Sequence, residues 1–215
     1  MENRWNHLFA RSLGTALDEC VYGSRLIGSD PALVLHGGGN TSIKAPFNDI
    51  TGNSFDALYV KGSGWDLATI EEQGFAPLDL SRLRDLLALD SLSDSEMMRE
   101  LTASSFDPDA PAPSVESLLH AYIPHPAVLH SHADVVVSIT NVTDGEKLVR
   151  NIFGDSVIVI PYVMPGFELA KTVTTMWPAQ THECTIGMVL LNHGLFTFGD
   201  NGRGLQPPPR VDLDS

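Results

Sequence analysis

The stretch Val128-Leu129-His130-Ser131-His132 guides the interpretation of the whole sequence. It places two imidazole side chains two residues apart at the end of an apolar run. If the run is a β-strand, His130 and His132 point to the same side, because side chains alternate between faces. Two converging neutral imidazoles supply two of the three protein ligands of a typical catalytic zinc site. A His-x-His pair is also common on surfaces, so the pair alone does not establish a metal site.

The best candidate for a third ligand is His193, in the second apolar run Val189-Leu190-Leu191-Asn192-His193-Gly194. Like His132, it ends a strand-like segment, and a turn-forming glycine follows it. The sequence therefore predicts a metal site built from the ends of two separate strands.

Two loops of small residues follow other strand-like segments. A predicted strand at Ala32–His36 leads into Gly37-Gly38-Gly39-Asn40-Thr41-Ser42, and a strand at Ala57–Lys61 leads into Gly62-Ser63-Gly64-Trp65. Glycine lets the backbone approach a ligand closely and present N–H groups to an anion. A flexible hairpin loop is the alternative interpretation of the first stretch.

The segment Pro113-Ser114-Val115-Glu116 predicts the start of a helix that continues to about Tyr122, with Ser114 as N-cap and Glu116 in the first turn. These capping roles are sufficient to explain both residues. A helix start also attracts phosphate. Further predicted helices lie at Trp5–Leu26, Asp79–Leu89, Asp94–Leu101, Ala133–Asn141, Asp144–Phe153 and Phe167–Met176, and further strands at Val157–Pro161, Ile186–His193 and Leu195–Phe198.

Composition limits the class of protein. The 215 residues, 43% of them hydrophobic and 19% charged, fit one α/β domain. The net charge of −14 argues against binding nucleic acid or an anionic membrane. With neither a signal peptide nor a long apolar run, we expect a cytoplasmic protein in which Cys20 and Cys184 stay reduced.

Five motifs in this order resemble those of the class II aldolase/adducin family: Gly39-Asn40-Thr41-Ser42, Gly62-Ser63-Gly64, Pro113-Ser114-Val115-Glu116, His130-Ser131-His132 and Asn192-His193-Gly194. The sequence is most similar to the aldolase domain of proteins in which that domain is fused to a short-chain dehydrogenase. The resemblance covers about residues 5–199. It implies a three-layer α/β/α fold with a central, largely antiparallel sheet over residues 1–199. It also implies a homotetramer. We expect residues 200–215 to form an irregular tail.

The resemblance also implies a role for each site residue. It makes His130, His132 and His193 the ligands of a divalent metal ion, which is Zn²⁺ or another ion such as Mn²⁺ or Co²⁺. It makes Glu116 the catalytic acid/base, and it assigns the substrate phosphate to Asn40, Ser63, Gly64 and Ser114. Val115 replaces a second serine found in many relatives. The C-terminus looks shortened beside theirs, which removes any expectation of a nicotinamide-binding domain.

The expected function is that of a metal-dependent lyase of carbohydrate metabolism. It would be an aldolase acting on a small ketose phosphate, or a related hydroxy-carbonyl compound, through a metal-stabilised enediolate. The alternatives are an epimerase or dehydratase with the same chemistry, a non-catalytic adducin-like assembly module, and a folded but inactive fragment. Of the remaining side chains, we interpret His36, His120 and His125 as candidates to fix a ligand imidazole. We interpret Lys44 and Lys61 as solvated strand-end lysines, with added positive charge near the phosphate as the alternative.

Overall fold

The computed structural model of the chain describes residues 4–200. Its strands are β1 (Asn40–Asn48), β2 (Ser54–Lys61), β3 (Phe75–Asp79), β4 (Ala127–Ser131), β5 (Val157–Ile160), β6 (Gly187–Leu190) and β7 (Gly194–Gly199). Its α-helices are α1 (His7–Ala10), α2 (Ala16–Gly28), α3 (Leu80–Leu87), α4 (Asp94–Ala103), α5 (Ser117–Tyr122), α6 (Asp134–Thr140), α7 (Gly145–Phe153) and α8 (Phe167–Gln180). Short 3-10 helices lie at Glu72–Gly74 and Gly154–Ser156. From residue 201 onward the expected tail lies outside the described residues.

The strands form one sheet with the order β3-β2-β1-β4-β7-β6-β5. Neighbouring strands are antiparallel, except that β5 and β6 are parallel. The prediction of a central, largely antiparallel sheet is therefore confirmed.

Helices cover both faces of the sheet, as predicted for a three-layer α/β/α fold. One apolar cluster joins α3, α4, α5 and α8 to the sheet, and a second joins α2, α6 and α7 to its other face. In β4, Val128 belongs to the first cluster and Leu129 to the second, as strand alternation requires. In the described part of the chain, every helix is too short or too polar to cross a bilayer.

The predicted helix at Trp5–Leu26 is wrong, because the chain turns after Ala10 and starts a second helix at Ala16. The signal for the break is Thr15, whose hydroxyl accepts from the Asp18 N–H at 3.0 Å while the Asp18 carboxylate accepts from the Thr15 N–H at 2.9 Å. This reciprocal pair is a capping box and marks a helix start.

The predicted strand at Ala32–His36 is also wrong. The segment is a series of turns, with the N–H groups of Leu33 and Val34 donating to the Asp30 carbonyl. The side chains of Leu33 and Val34 are buried in the second cluster. Packing beneath the sheet therefore explains the apolar run that suggested a strand.

Strand β3, which contains Pro77 and pairs with β2 at the edge of the sheet, was not predicted from the sequence. Proline lacks an N–H group and weakens any strand signal, but an edge position tolerates it. The other predicted helices and strands are present, with their ends shifted by a few residues, apart from the helix at Ser114 described below.

Candidate active site

The predicted site residues meet at one edge of the sheet because neighbouring strands run in opposite directions. There β2 and β4 end while β1 and β7 begin, with Asn40 paired to His130 and Leu195 to Ser131. The edge borders a cavity of about 410 Å³. Its lining includes both glycine loops, Glu116 and the three histidines.

The structure brings His130, His132 and His193 together. His130 lies in β4, His132 follows that strand, and His193 lies in the turn between β6 and β7. One ring nitrogen from each lies within 4.8 Å of the other two. The Nε2 atoms of His130 and His132 are 3.0 Å apart. This is the convergence that the sequence predicted, and the assignment of these residues as ligands remains a prediction.

The hydrogen bonding of His130 directs a lone pair toward this cluster. Its Nδ1 lies 3.2 Å from the carbonyl of Leu195. A carbonyl can only accept, so Nδ1 carries the proton and Nε2 is free to bind. Burial lowers the pKa of His130 to about 3 and that of His193 to about 4. Both imidazoles are therefore neutral at pH 7, the form that binds metal.

Glu116 faces the imidazoles from the other side of the cluster. Its Oε2 lies 3.6 Å from Nε2 of His130, and its Oε1 lies 3.6 Å from Nε2 of His193. Burial raises the pKa of this carboxyl group, although the nearby His193 opposes the shift.

The residues present fit a divalent cation. Within residues 4–200, Oε1 of Glu116 and Nδ1 of His193 are buried without a hydrogen-bond partner, an arrangement that is costly unless a ligand completes it. A Cβ atom on Gly194 would lie 2.9 Å from Cε1 of His130 and 3.1 Å from Cδ2 of His132, so this position needs glycine. Three imidazoles and a carboxylate suit zinc and also other transition metals.

A buried chain of hydrogen bonds holds Glu116 in place. Asn40 donates from Nδ2 to Oε2 of Glu116 at 2.8 Å and to Oγ of Ser114 at 3.1 Å. Its Oδ1 must therefore accept from Nε2 of His120. Nδ1 of His120 then accepts from the hydroxyl of Ser42 at 2.7 Å.

His120, a candidate to fix a ligand imidazole, does not have that role, because its ring fixes Asn40 instead. Burial keeps the pKa of His120 well below 6.5, so the ring is neutral. The same expectation fails for His36, which is exposed in a turn with φ of 51°, and for His125, whose ring stacks on Phe198 at 4.7 Å.

The helix expected to start at Ser114 begins at Ser117, and Glu116 occupies the N-cap position rather than the first turn. The reason is a turn, in which the N–H and hydroxyl of Ser117 donate to the Ser114 carbonyl at 3.0 and 2.6 Å. The Ser114 hydroxyl oxygen accepts from the Glu116 N–H at 3.2 Å. Ser114 therefore reaches the cavity from a turn.

The glycine loops also line the cavity, but part of their backbone is already paired. The N–H groups of Gly38, Gly62 and Ser63 donate to the carbonyls of Leu35, Gly74 and Ala112 at 2.9, 2.7 and 2.8 Å. Gly64 has φ of 84°, a conformation that favours glycine. The roles of Asn40, Ser63, Gly64 and Ser114 in phosphate binding remain predictions.

Neither lysine near the motifs is solvated, contrary to expectation. Lys61 is 4% exposed, lines the cavity and donates to the Gly37 carbonyl at 3.1 Å. Lys44 donates to three carbonyls at 2.7–2.8 Å, those of His120, Ile123 and His125. A sequence does not reveal such burial, and the only local signal for Lys61 is its position directly before a glycine loop.

The family model described as "Class II Aldolase and Adducin N-terminal domain" matches residues 18–203. The uncharacterized oxidoreductase YuxG of Bacillus subtilis is 37% identical over 196 residues, which are 91% of this chain and 28% of that protein. The chain thus spans 28% of the length of this curated relative.

Two solved structures show the same fold. The N-terminal class II aldolase domain of a conserved protein from Thermoplasma acidophilum is 43% identical, with a TM-score of 0.86 over 95% of this chain and 92% of that one. An L-fuculose 1-phosphate aldolase is 16% identical, with a TM-score of 0.53 over 90% of this chain and 80% of that one. The second similarity concerns the fold alone.

Proposed function

The chain belongs to the class II aldolase and adducin family, and from this membership we propose that it is a divalent-metal-dependent lyase of the aldolase type. The reaction would break or form a carbon–carbon bond in a ketose phosphate or a related hydroxy-carbonyl compound. One observation carries the proposal: three converging imidazoles face a buried carboxylate across one cavity.

In this proposal His130, His132 and His193 hold the cation, and the most suitable ion is zinc. When bound, the cation supplies Lewis-acid chemistry by stabilising negative charge that develops on substrate oxygen atoms. Three neutral ligands suit this role, because they leave the double positive charge of the ion undiminished.

Glu116 is the proposed acid/base. Aldol chemistry moves a proton at the carbon next to the substrate carbonyl, and Glu116 would remove this proton in condensation and return it in cleavage. A carboxyl group whose pKa is raised by burial is suited both to removing and to returning this proton. The hydrogen bond from Asn40 at 2.8 Å orients the carboxylate without blocking its second oxygen.

The cavity and its lining support a small anionic sugar as substrate. Its volume of about 410 Å³ lies in the usual range for a small-molecule site. Ser63, Gly64, Ser114 and Asn40 would hold a phosphate beside the metal. An L-fuculose 1-phosphate aldolase, whose name specifies a sugar phosphate, shares the fold. We further propose that the chain assembles into a homotetramer.

The test is turnover of a panel of ketose 1-phosphates by the purified chain with Zn²⁺, Mn²⁺ or Co²⁺. We expect release of an aldehyde together with dihydroxyacetone phosphate. Glu116→Gln should lower kcat by about a hundredfold or more, a typical loss for a general acid/base. The matched control Glu183→Gln changes an exposed carboxylate and should leave kcat unchanged.

Three outcomes would contradict an aldolase. Loss of water from the substrate would identify a dehydratase, and inversion of a carbinol centre would identify an epimerase. Absence of turnover with every metal and substrate would favour the assembly module or the inactive fragment.

A further inference from the structure

The two outer strands of the sheet, β3 and β5, are protected in different ways. An outer strand presents unpaired N–H and C=O groups that can pair with another chain. At β3 a backbone segment covers these groups. The Asp79 N–H donates to the Ser104 carbonyl at 2.8 Å, and the Phe106 N–H donates to the Pro77 carbonyl at 2.9 Å. Within residues 4–200, no backbone segment bonds to the outer edge of β5 in this way.

One side chain, that of Gln180 at the end of α8, pairs with the outer edge of β5. The Val159 N–H donates to Oε1 of Gln180 at 3.1 Å, and Nε2 of Gln180 donates to the Val159 carbonyl at 3.1 Å. Two residues that face each other as a hydrogen-bonded pair in an antiparallel ladder exchange the same two bonds. The carboxamide therefore takes the place of a residue in a neighbouring strand.

Val159 is the residue through which β5 would accept another strand. The carbonyl of Ile160 points inward, where it accepts from the Leu191 N–H at 3.0 Å. Successive residues of a strand alternate in the direction of their backbone groups, so those of Val159 point outward. Pro161, the next outward position, has no N–H to donate.

The position of Gln180 depends on how α8 ends. Pro178 lies inside this helix and lacks the N–H that would bond to the Thr174 carbonyl. That carbonyl accepts from the Tyr122 hydroxyl at 3.3 Å, and Trp177 is buried in the first apolar cluster. These contacts anchor the last turn of α8 to α5 and the sheet, with Gln180 directed at β5.

The sequence of β5 favours pairing once its edge is open. Val157–Ile160 consists of four β-branched residues without a charge, a composition typical of segments that add to other strands. Two copies can meet antiparallel about a two-fold axis at Val159. Each edge then offers the N–H and the carbonyl that the other needs. A second copy of the chain is therefore the partner that fits this edge.

We propose that the outer edge of β5 is a strand-pairing surface for a second copy of this chain and that the Gln180 carboxamide keeps it closed. Loss of the two bonds to Gln180 is enough to expose the N–H and the carbonyl of Val159. The proposal goes beyond the proposed function, and it depends on neither a metal ion nor turnover.

The experiment compares the full chain with Gln180→Met by sedimentation velocity over a range of protein concentrations. Methionine is unbranched like glutamine but has no N–H to donate. The salt concentration is about 0.15 M, where a Debye length of about 8 Å limits repulsion between the chains. The constant for association beyond the wild-type assembly should rise about tenfold or more, as expected when two hydrogen bonds become available. The matched control Gln73→Met changes an exposed glutamine and should sediment like the wild type.

A second variant tests whether the association passes through Val159. Gln180→Met/Val159→Pro lacks the outward N–H, and an outer strand tolerates proline, so this chain should sediment like the wild type. Sedimentation of Gln180→Met that equals that of the wild type would overturn the proposal. Association of the double variant as strong as that of Gln180→Met would overturn it as well.

Circular dichroism shows whether each variant folds, and two further measurements cover a failure. If Gln180→Met does not fold, Gln180→Asn replaces it, because the shorter side chain cannot reach both backbone groups of Val159. If the double variant does not fold, hydrogen exchange of the Val159 amide in the single variant replaces it. Protection of this amide should rise with protein concentration, and constant protection would overturn the proposal.

Discussion

At the scale of single residues, Gly194 determines how closely the imidazoles can approach one another. A Cβ atom there would lie 2.5 Å from the carbonyl oxygen of Ser131, in addition to its contacts with the rings of His130 and His132. Backbone oxygen cannot give way as a flexible side chain can. The geometry of the histidine cluster therefore depends on a residue that carries no functional group.

We expect Gly194→Ala to weaken zinc binding about tenfold or more, the loss typical of a disturbed ligand orientation, and to lower the free energy of unfolding by about 1–3 kcal/mol. The matched control is Gly37→Ala in the same cavity, because a Cβ there meets no atom of the described chain within 4 Å. A competition titration with a chelator measures the affinity. Equal zinc affinity in both variants would show that the rings do not need this glycine.

His120 provides a second prediction at this scale. Replacing it with phenylalanine leaves Oδ1 of Asn40 and the hydroxyl of Ser42 buried without their partner. Each such group costs about 1–3 kcal/mol, so urea denaturation should show a loss of about 2 kcal/mol or more. His125→Phe, at a partly exposed ring, should cost much less. A loss no greater than that of His125→Phe would argue against the chain of hydrogen bonds.

The same residues show what a sequence can and cannot reveal. The spacing of His130 and His132, with His193 in a similar strand-end context, was enough to predict the cluster, since strand alternation is local. The role of His120 and the burial of Lys61 were not predicted, because each depends on partners far away in sequence. Asn40 lies 80 positions from His120, and nothing local to either residue indicates their contact.

At the scale of elements, Lys44 ties β1 to the end of α5. Its three bonds reach the carbonyls of His120, Ile123 and His125, which lie in or just after that helix. Burial lowers the pKa of Lys44 to about 7, but three accepting carbonyls require the three donors of the ammonium form. A cation at a helix C-terminus also interacts favourably with the helix dipole. Glu116 stands at the opposite end of α5, so this tie helps to fix the position of the carboxylate.

We expect Lys44→Met to lower the free energy of unfolding by about 2 kcal/mol or more, since several charged hydrogen bonds are lost together. Lys147→Met, on the exposed surface of α7, should change it by less than about 0.5 kcal/mol. Urea denaturation followed by circular dichroism makes the comparison. Similar losses in the two variants would mean that the tie contributes nothing to stability.

Elements with a clear local signal were predicted well. Asp79 accepts from the N–H groups of Ser81 and Arg82 and starts α3 where the sequence analysis placed a helix. Elements whose sequence signal is altered by tertiary contacts were predicted poorly. The turns at Ala32–His36 resemble a strand in sequence because they carry the apolar, buried side chains of Leu33 and Val34, and Pro77 weakens the strand signal of β3.

At the scale of the whole molecule, three buried neutral histidines make stability depend on pH. Burial lowers the folded-state pKa of His120, His130 and His193 below the ordinary value of 6.5. The unfolded chain therefore takes up protons near pH 6.5 that the folded chain refuses until lower pH. In that window the unfolded state binds more protons, so the free energy of unfolding falls as the pH falls. The raised pKa of Glu116 has the opposite effect, because it makes the free energy of unfolding rise as the pH falls. This one carboxyl group opposes three histidines.

The metal-free chain should accordingly have a lower urea midpoint at about pH 5 than at about pH 7.5. Each fully shifted histidine contributes about 1.4 kcal/mol per pH unit. The comparison is made in about 1 M sodium chloride, where a Debye length of about 3 Å screens the net charge. A midpoint that is equal or higher at the lower pH would contradict the neutral, buried state of these rings.

The topology of the whole molecule is what turns separate motifs into one site. Antiparallel strands end and begin at the same edge, so residues far apart in sequence share one cavity. The fold class could be predicted through the family resemblance, whereas composition alone gave no more than an α/β domain. The distances between Glu116 and the imidazoles required the structure, because they depend on how α5 packs into the first apolar cluster.

The most direct test of the central claim is elemental analysis of the chain after equilibrium dialysis against zinc. We expect about one zinc ion per chain in the wild type and in the exposed-site control His7→Ala. This zinc should be lost in both His130→Ala/His132→Ala and His193→Ala, whose ligands come from separate strand ends. Zinc content that stays the same in these variants would contradict the claim that the three imidazoles form a metal site.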